Sequence, residues 1–278
     1  HVPTLVSALK SYGYKTIAMH PANPTNYGRQ SVYQEMGFDE FYSFDDYAQY
    51  DKVFLDRTAD IDDYREILKV IEQEDEPLFI FNVTIQNHGG YTLSTLNPKY
   101  ELVHVDESIA GYEDVQMYLT LINESNKALQ YLIEQLQEIS KPVILCMFGD
   151  HQPSVEQEFL DKAYGVAQAD MTMEQYMDKY RTPFVIWANY PLEEEGPEET
   201  SLNFLGQYLL RYAGIEPDPY GQFLWSFQQT IPALTFVGYT DGLGNAYSHL
   251  EDTVYTGKIE DYQRLQYVRL FGGPEEGS

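Results

Sequence analysis

The sequence predicts an α/β fold in which a mainly parallel sheet carries helices on both faces. Short, continuously apolar runs alternate with segments of helical spacing, and several of these runs end directly in polar residues. Continuous apolar runs are typical of parallel strands that are buried on both faces. Alternating strands and helices indicate βαβ units, whose ligands bind beyond the carboxyl ends of the strands.

The first half of the chain supplies two predicted strands. Leu5, Leu9 and Tyr12 share one face of a first helix, which Gly13 ends. Residues 21–61 show little periodicity and are predicted to form a long loop with short helices. The remaining predicted elements are strands at 16–19 and 78–85 and helices at 62–73 and 112–139.

The second half supplies two further strands, at 143–148 and 184–187. Thr172 and Gln175 resemble a capping box for a helix that reaches about residue 180, and Thr200 is a candidate cap for the next helix. Beyond Asp218 the pattern predicts a helix near 220–227 and strands near 233–239 and 265–270. We expect a core at 1–215 and, packed on the same domain, a smaller C-terminal α+β portion at 216–278.

Composition excludes several classes of protein. The 278 residues carry 17 Lys plus Arg against 44 Asp plus Glu, a formal net charge of −27. This charge disfavours binding to nucleic acid or to an anionic membrane surface. No apolar stretch approaches the ~18 residues of a transmembrane segment. The single cysteine, Cys146, excludes an intrachain disulfide and is expected to be a small core residue.

Polar side chains follow three of the predicted strands. Asp150 and His151 come directly after one of them. A carboxylate and an imidazole suit Mn²⁺ or Zn²⁺, and if oxygen atoms supplied the remaining ligands, Mn²⁺ or Mg²⁺ would be favoured. The alternative is an Asp that caps the next turn beside an exposed His. Two ligands are too few for a catalytic ion, so others must come from elsewhere.

The other strand ends carry candidate anion-binding groups. His88, after Asn87, could donate to a phosphate or sulfate oxygen or act as an acid or base; the alternative is a bond to a loop carbonyl. Arg29 either forms a salt bridge or holds an anionic oxygen, with Tyr27 as a stacking wall. His20 is a weaker candidate, because a His-Pro pair can simply end a strand.

Well-known catalytic motifs are absent from the sequence. It contains no dinucleotide-binding glycine motif, P-loop, nucleophile elbow or zincin motif. This disfavours dinucleotide enzymes, P-loop kinases, typical α/β hydrolases and zincin proteases.

An ordered set of stretches resembles the extracellular catalytic domain of the lipoteichoic acid synthase family. These enzymes are phosphoglycerol transferases within the sulfatase and alkaline phosphatase superfamily. The Asp-His pair is common to the superfamily, whereas the whole ordered set is specific. The stretches are GYKTIAMHP at 13–21, YGR at 27–29, GFD at 37–39, TIQNHGGY at 84–91, FGDHQP at 148–153 and TPFVIWAN at 182–189.

The resemblance implies a mechanism and roles for several residues. Asp150 and His151 would bind a divalent ion, usually Mn²⁺, together with an upstream Glu and Thr. That Thr is the nucleophile, which attacks the phosphodiester of phosphatidylglycerol and passes glycerophosphate to a hydroxyl of a polyol or glycan acceptor. His88 and Arg29 would contact the phosphate, and Tyr27 stands where the family usually has Trp.

The resemblance also implies that the chain is a fragment. The family's Glu and nucleophilic Thr precede residue 13 by tens of residues, so we expect both to be absent here, and Thr4 and Thr16 do not fit the motif. The fragment is expected to be inactive and to bind metal weakly or not at all. Its parent would be anchored in the bacterial membrane with this domain outside the cell.

Three alternatives remain open from sequence. A sulfatase or a phosphoethanolamine transferase would use the same fold and the same Asp-His pair. A non-catalytic carbohydrate-binding module of the cell surface is suggested by the 25 tyrosines and the acidic surface. Such a module would line a shallow groove with aromatic rings and would not bring the candidate site residues together.

Overall fold

The computed structural model describes residues 3–272, which form two compact units. One unit comprises the chain up to Glu138 together with Pro153–Phe159, and the other comprises Ile139–Gln152 together with the chain from Leu160 onward. The expected division at residue 215 stays a prediction.

The first unit is built around a parallel sheet. In this sheet β1 (Lys15–Met19) lies between β2 (Glu40–Tyr42) and β5 (Leu78–Asn82), and residues 16–19 of β1 are 0% exposed. The elements in chain order are α1 (Leu5–Ser11), β1 (Lys15–Met19), α2 (Arg29–Met36), β2 (Glu40–Tyr42), β3 (Lys52–Phe54), β4 (Arg57–Thr58), α3 (Asp60–Gln73), β5 (Leu78–Asn82) and α4 (Glu113–Gln137).

Two consecutive residues of β5 show that helices cover both faces of this sheet. Successive side chains of a strand point to opposite faces. The Phe81 ring packs edge-on against Tyr33 of α2, which also packs against Phe41 of β2. The next residue, Asn82, donates from Nδ2 to Asp63 Oδ2 of α3 at 2.7 Å. The predicted α/β fold with a parallel, doubly covered sheet is therefore confirmed.

The second unit has antiparallel pairing. The strand before Asp150 pairs antiparallel with the next predicted strand, although the sequence pattern favoured βαβ connections throughout. Its elements are β6 (Ile144–Phe148), α5 (Gln157–Tyr164, whose first residues belong to the first unit), α6 (Met173–Asp178), β7 (Phe184–Ala188), α7 (Leu202–Tyr212), α8 (Pro219–Gln228), β8 (Ala233–Leu234), β9 (Gly238–Thr240), β10 (Ala246–Ser248) and α9 (Thr256–Phe271).

Three sequence predictions are wrong in detail. The loop predicted at 21–61 contains β2, whose three residues pair with β1 and are too few for a periodic signal. The strand predicted at 265–270 lies inside α9. The N-cap of α7 is Ser201 rather than Thr200, so Leu202 begins the helix and is 47% exposed.

None of the helices within residues 3–272 combines the length and the apolar character needed to cross a bilayer. The longest, α4, has 25 residues and buries one stripe of side chains. That stripe includes Leu121, Ala128 and Leu132, whose spacings of seven and four residues place them on one face of the helix.

Candidate functional site

His20 lies at the carboxyl end of β1 and is held in one orientation. Its Nδ1 is 2.6 Å from the Val83 carbonyl oxygen, and the residue is 4% exposed. Because a carbonyl can only accept, Nδ1 carries the proton and Nε2 keeps a lone pair. Burial lowers the pKa of His20 to about 4, so the ring is neutral at pH 7.

Arg29 differs from the other arginines of this acidic chain. Each of the other six lies within 4 Å of a carboxylate. Arg29, the first residue of α2, makes no such ion pair in the described structure. Its Nη1 donates to the Tyr33 hydroxyl at 3.2 Å, and its Nε is buried without a hydrogen-bond partner. The guanidinium therefore keeps donors and an unneutralised charge for an anion.

Arg29 and His88 both lie near His20. After burial, the proximity of Arg29 and of His88 also lowers the pKa of His20, although the bond to the Val83 carbonyl opposes the shift. Three of the residues predicted from sequence are thus neighbours in the first unit. They come from the end of β1, the start of α2 and the loop after β5.

Gln86 fixes the loop that carries His88. Its side chain, 1% exposed, accepts from the Asp60 backbone N–H at 3.0 Å and donates to the Leu121 carbonyl at 2.8 Å. These bonds connect the loop to the first turn of α3 and to the middle of α4. The backbone before His88 therefore has a defined position, as a binding site requires.

Asn87 belongs to a buried polar network beside this loop. Its Nδ2 donates to Ser125 Oγ at 2.8 Å, and Ser125 donates to Asp60 Oδ2 at 2.5 Å. The Oδ1 atom of Asn87 is buried and has no hydrogen-bond partner. Burial raises the pKa of Asp60 to about 6. The side-chain amide of Asn87 is therefore held through Nδ2 but not through Oδ1.

Tyr27 presents an exposed ring two residues before Arg29. It lies in a 3-10 turn at Asn26–Gly28 with φ of +57°, and it is 88% exposed. A positive φ is unusual for a tyrosine. The ring of Tyr27 lies in solvent. This position is compatible with the stacking wall expected from sequence.

Arg57 is a site residue that sequence reasoning missed. It begins β4, in the hairpin with β3, and its Nη2 lies 3.3 Å from Nδ1 of His88. The hairpin falls within the predicted loop at 21–61, so no pattern placed Arg57 near His88. The one feature of the sequence that could have drawn attention to Arg57 is its residue type, because arginine is scarce in a chain with a net charge of −27.

Asp150 and His151 follow β6 in the second unit. Both side chains are 74% exposed, and His151 Nε2 is 3.5 Å from Asp150 Oδ2. A Cβ at the preceding Gly149 would lie 3.0 Å from Cβ of Thr182, a tight contact that Thr182 would have to relieve by shifting. Thr182 in turn donates to the Gly149 carbonyl at 2.7 Å, which fixes the backbone before the pair.

The donor chemistry of this pair fits part of a metal site. A carboxylate oxygen and an imidazole nitrogen are ligands that Mn²⁺ and Zn²⁺ accept. Within residues 3–272, no group of three or more His, Cys, Asp or Glu side chains is arranged to hold a metal ion. Asp150 and His151 can therefore supply two ligands, and a catalytic ion needs more.

Comparison with known proteins identifies the family. A model of the sulfatase family matches residues 1–215. The chain belongs to the sulfatase family. It is 25% identical over 277 residues, 98% of its length, to a Rhizobium meliloti protein named for cyclic β-1,2-glucan modification, of which it covers 43%. It is 22% identical to the lipoteichoic acid synthase-like protein YvgJ of Bacillus subtilis, with 92% of the chain and 42% of that protein covered.

A solved structure supports the fold. The phosphoglycerol transferase GacH of Streptococcus pyogenes, in complex with sn-glycerol-1-phosphate, superimposes with a TM-score of 0.68 at 24% identity. The match covers 92% of this chain and 61% of that one. The chain spans between about a quarter and two fifths of the length of the curated relatives it matches. The resemblance to lipoteichoic acid synthase and phosphoglycerol transferase domains is confirmed.

Proposed function

We propose that this sulfatase-family chain is part of a metal-dependent phosphoglycerol transferase. The enzyme would move glycerophosphate from a phosphatidylglycerol-type lipid to a polyol or glycan acceptor of the cell envelope. The chain would belong to a longer, membrane-anchored protein and would lie on the extracellular face. The observation that carries the proposal is Arg29, a cation without a carboxylate partner among the described residues, near His20 at the end of β1 and His88 in the loop after β5.

The three groups suit a phosphodiester with a glycerol head. The Arg29 guanidinium can donate to a phosphoryl oxygen while its charge offsets that of the diester. His88 can donate to a second oxygen. His20 keeps an Nε2 lone pair and can accept from a glycerol hydroxyl, since its Nδ1 is occupied by the Val83 carbonyl. Tyr27 would cover the head group from the solvent side.

Asp150 and His151 are the proposed ligands of a divalent ion, Mn²⁺, Mg²⁺ or Zn²⁺. Such an ion, when bound, lowers the pKa of a nucleophile and offsets charge on phosphoryl oxygens. The two side chains are exposed and open to an entering ion. The nucleophile is not among the residues assigned here: Thr4 caps α1, and Thr16 is buried and bonded to Asp39.

A sulfatase or a phosphoethanolamine transferase is the second candidate, because both bind a tetrahedral oxyanion. The names of relatives favour the phosphoglycerol branch: YvgJ is called lipoteichoic acid synthase-like, and GacH was solved with sn-glycerol-1-phosphate. A non-catalytic carbohydrate-binding module does not explain an unpaired arginine beside two ordered histidines.

Head-group binding tests the anion site on this chain. Calorimetry with glycerol phosphate, inorganic sulfate and phosphoethanolamine should give the tightest binding to glycerol phosphate. Arg29→Met should weaken it about tenfold or more, as expected for a lost charge-assisted hydrogen bond. Arg65→Met is the matched control, because the Arg65 side chain is 50% exposed and pairs with Asp62 of α3. Equal loss in both variants, or tighter binding of sulfate, would contradict the proposal.

Metal binding tests the other half of the proposal. Mn²⁺ should bind tightly to a longer form of the protein that includes the upstream segment, and weakly to this chain. Asp150→Ala should abolish the tight binding and the release of diacylglycerol from phosphatidylglycerol vesicles. If neither form binds Mn²⁺, the metal-dependent mechanism is wrong.

A further inference from the structure

Arg57 is positioned against one nitrogen of one histidine. Its Nη2 lies 3.3 Å from His88 Nδ1 with hydrogen-bond geometry. Its side chain is 17% exposed, its Nη1 pairs with Asp56, and it lies over the Phe54 ring with Cζ 6.0 Å from the centroid. The guanidinium is therefore held from two sides before it meets His88.

This contact fixes which nitrogen of His88 carries the proton. A guanidinium has five N–H donors and no acceptor. While Arg57 donates to it, Nδ1 of His88 must be the unprotonated nitrogen, and Nε2 carries the hydrogen. His88 is thereby a neutral donor through Nε2.

We propose that Arg57 is a positioning residue of the anion site, which holds His88 as the Nε2–H tautomer so that it donates to a phosphoryl oxygen. The hydrogen bond from Arg57 also sets the plane of the ring. The inference rests on the proposed function for the identity of the anion, and on the geometry alone for the tautomer.

The two histidines are held in opposite tautomers. The Val83 carbonyl accepts from Nδ1 of His20, which leaves Nε2 as an acceptor, whereas Arg57 donates to Nδ1 of His88, which leaves Nε2 as a donor. A head group that carries both an anionic oxygen and a hydroxyl can accept from Nε2 of His88 through the oxygen and donate to Nε2 of His20 through the hydroxyl. An inorganic oxyanion in its fully ionised form would use only the donor.

Nitrogen NMR of the imidazoles tests the inference directly. The chain has six histidines, and His88→Gln assigns the signal of interest. Long-range ¹H–¹⁵N spectra of the wild-type chain at pH 8 should show His88 as a single tautomer with Nδ1 unprotonated. Arg57→Met keeps the alkyl stem over Phe54 and removes the donor, so His88 should shift to an average of both tautomers.

The matched control is Arg65→Met, since the Arg65 Cζ lies 5.9 Å from the centroid of the Tyr131 ring. It should leave the His88 signal unchanged. Wild-type His88 with a protonated Nδ1 would overturn the inference whether or not Arg57→Met folds. An unchanged His88 signal in folded Arg57→Met would overturn it as well.

A titration with inorganic phosphate separates this inference from the proposed function. Phosphate should move the His88 Nε2 signal in the wild-type chain, and its apparent Kd should rise about tenfold in Arg57→Met. If phosphate moves no His88 signal in any variant, the anion site is wrong, while the tautomer spectra still decide the role of Arg57.

Discussion

The two units of this chain present chemical groups at strand ends in different ways. In the first unit His20 is 4% exposed and bonded to a backbone carbonyl, and Gln86 anchors the loop of His88. In the second unit Asp150 and His151 are each 74% exposed. The buried His20 and the anchored loop of the first unit are fixed by hydrogen bonds to distant segments, whereas Asp150 and His151 bond only to their own neighbourhood, His151 N–H to Asp150 Oδ1 and His151 Nδ1 to the Gln152 carbonyl.

The units also stabilise buried carboxylates differently. Asp63 of the first unit accepts from the Tyr47 hydroxyl and the Asn82 amide, and burial raises its pKa to about 7. Asp241 of the second unit is 2% exposed, yet bonds from Asn245 and other donors lower its pKa to about 2. The number of donors, rather than burial alone, decides which protonation state the fold favours.

The largest expected effect tests the rigidity of the first unit. Gln86→Ala should lower the free energy of unfolding by about 2–3 kcal/mol, because it leaves the buried Asp60 N–H without its acceptor and removes the side-chain bonds to the Leu121 carbonyl and to Ser125 Oγ. Urea denaturation measures this loss. Gln130→Ala is the control, since Gln130 bonds only to Glu134 on the exposed face of α4. Equal losses in both variants would contradict the anchoring role.

The second prediction uses pH to separate the buried carboxylates. The pKa of Asp63 is raised from 3.8 to about 7, so the folded state holds more protons than the unfolded state between these values. The contribution of Asp63 to stability is therefore present below about pH 4 and is lost as the pH rises through 7. Relative to Asp63→Asn, the wild-type free energy of unfolding should fall by up to about 1.4 kcal/mol per pH unit.

Asp241 is the control, because its pKa is shifted in the direction opposite to that of Asp63. Its pKa is lowered to about 2, so its contribution is present above about pH 4 and is lost as the pH falls toward 2. Relative to Asp241→Asn, wild-type stability should fall only at the acid end. Urea denaturation at a series of pH values measures both slopes, and slopes of the same sign would contradict the comparison.

A third prediction concerns His20. Its pKa is about 4, mainly through burial, so an NMR titration should find the ring neutral at pH 5.5. Arg29→Met should raise the pKa of His20 slightly, because it removes a nearby positive charge. Arg65→Met should not move it. A His20 ring that is protonated at pH 5.5 would contradict the buried, carbonyl-bonded geometry.

The smallest effect is expected at the exposed pair. Asp150→Asn and His151→Gln should change the free energy of unfolding of this chain by less than about 0.5 kcal/mol, as is usual for exposed positions. Urea denaturation without added metal measures it. A loss comparable to that of Gln86→Ala would show that the pair supports the fold and is not simply an open ligand set.

Local patterns predicted local structure well. The capping box of α6 is formed as expected, with Thr172 and Gln175 each accepting from the backbone N–H of the other. Capping depends on residues three positions apart, so the sequence alone specifies it. The strand ends at His20 and Asp150 were predicted for the same reason, since an apolar run and its polar end are contiguous.

Contacts between distant segments could not be predicted in this way. Arg57 and His88 are 31 residues apart, and their contact depends on a short hairpin that lacks periodicity. The antiparallel direction of β7 against β6 likewise depends on the path of the chain between them. His88 and Arg29 were candidates from their residue chemistry, the family resemblance gave them a contact with the phosphate, and these roles stay predictions.

The sequence by itself determined the α/β class, most helix and strand positions, the acidic charge and the ordered motifs of the family. These properties follow from side-chain chemistry and from spacing along the chain. The tertiary structure decided which groups keep an unused hydrogen-bonding atom or an unneutralised charge. Arg29 has a tyrosine hydroxyl rather than a carboxylate as its partner, and the Val83 carbonyl occupies Nδ1 of His20 but not Nε2. The Arg57 guanidinium lies against Nδ1 of His88. These contacts join residues that only folding brings within hydrogen-bond distance.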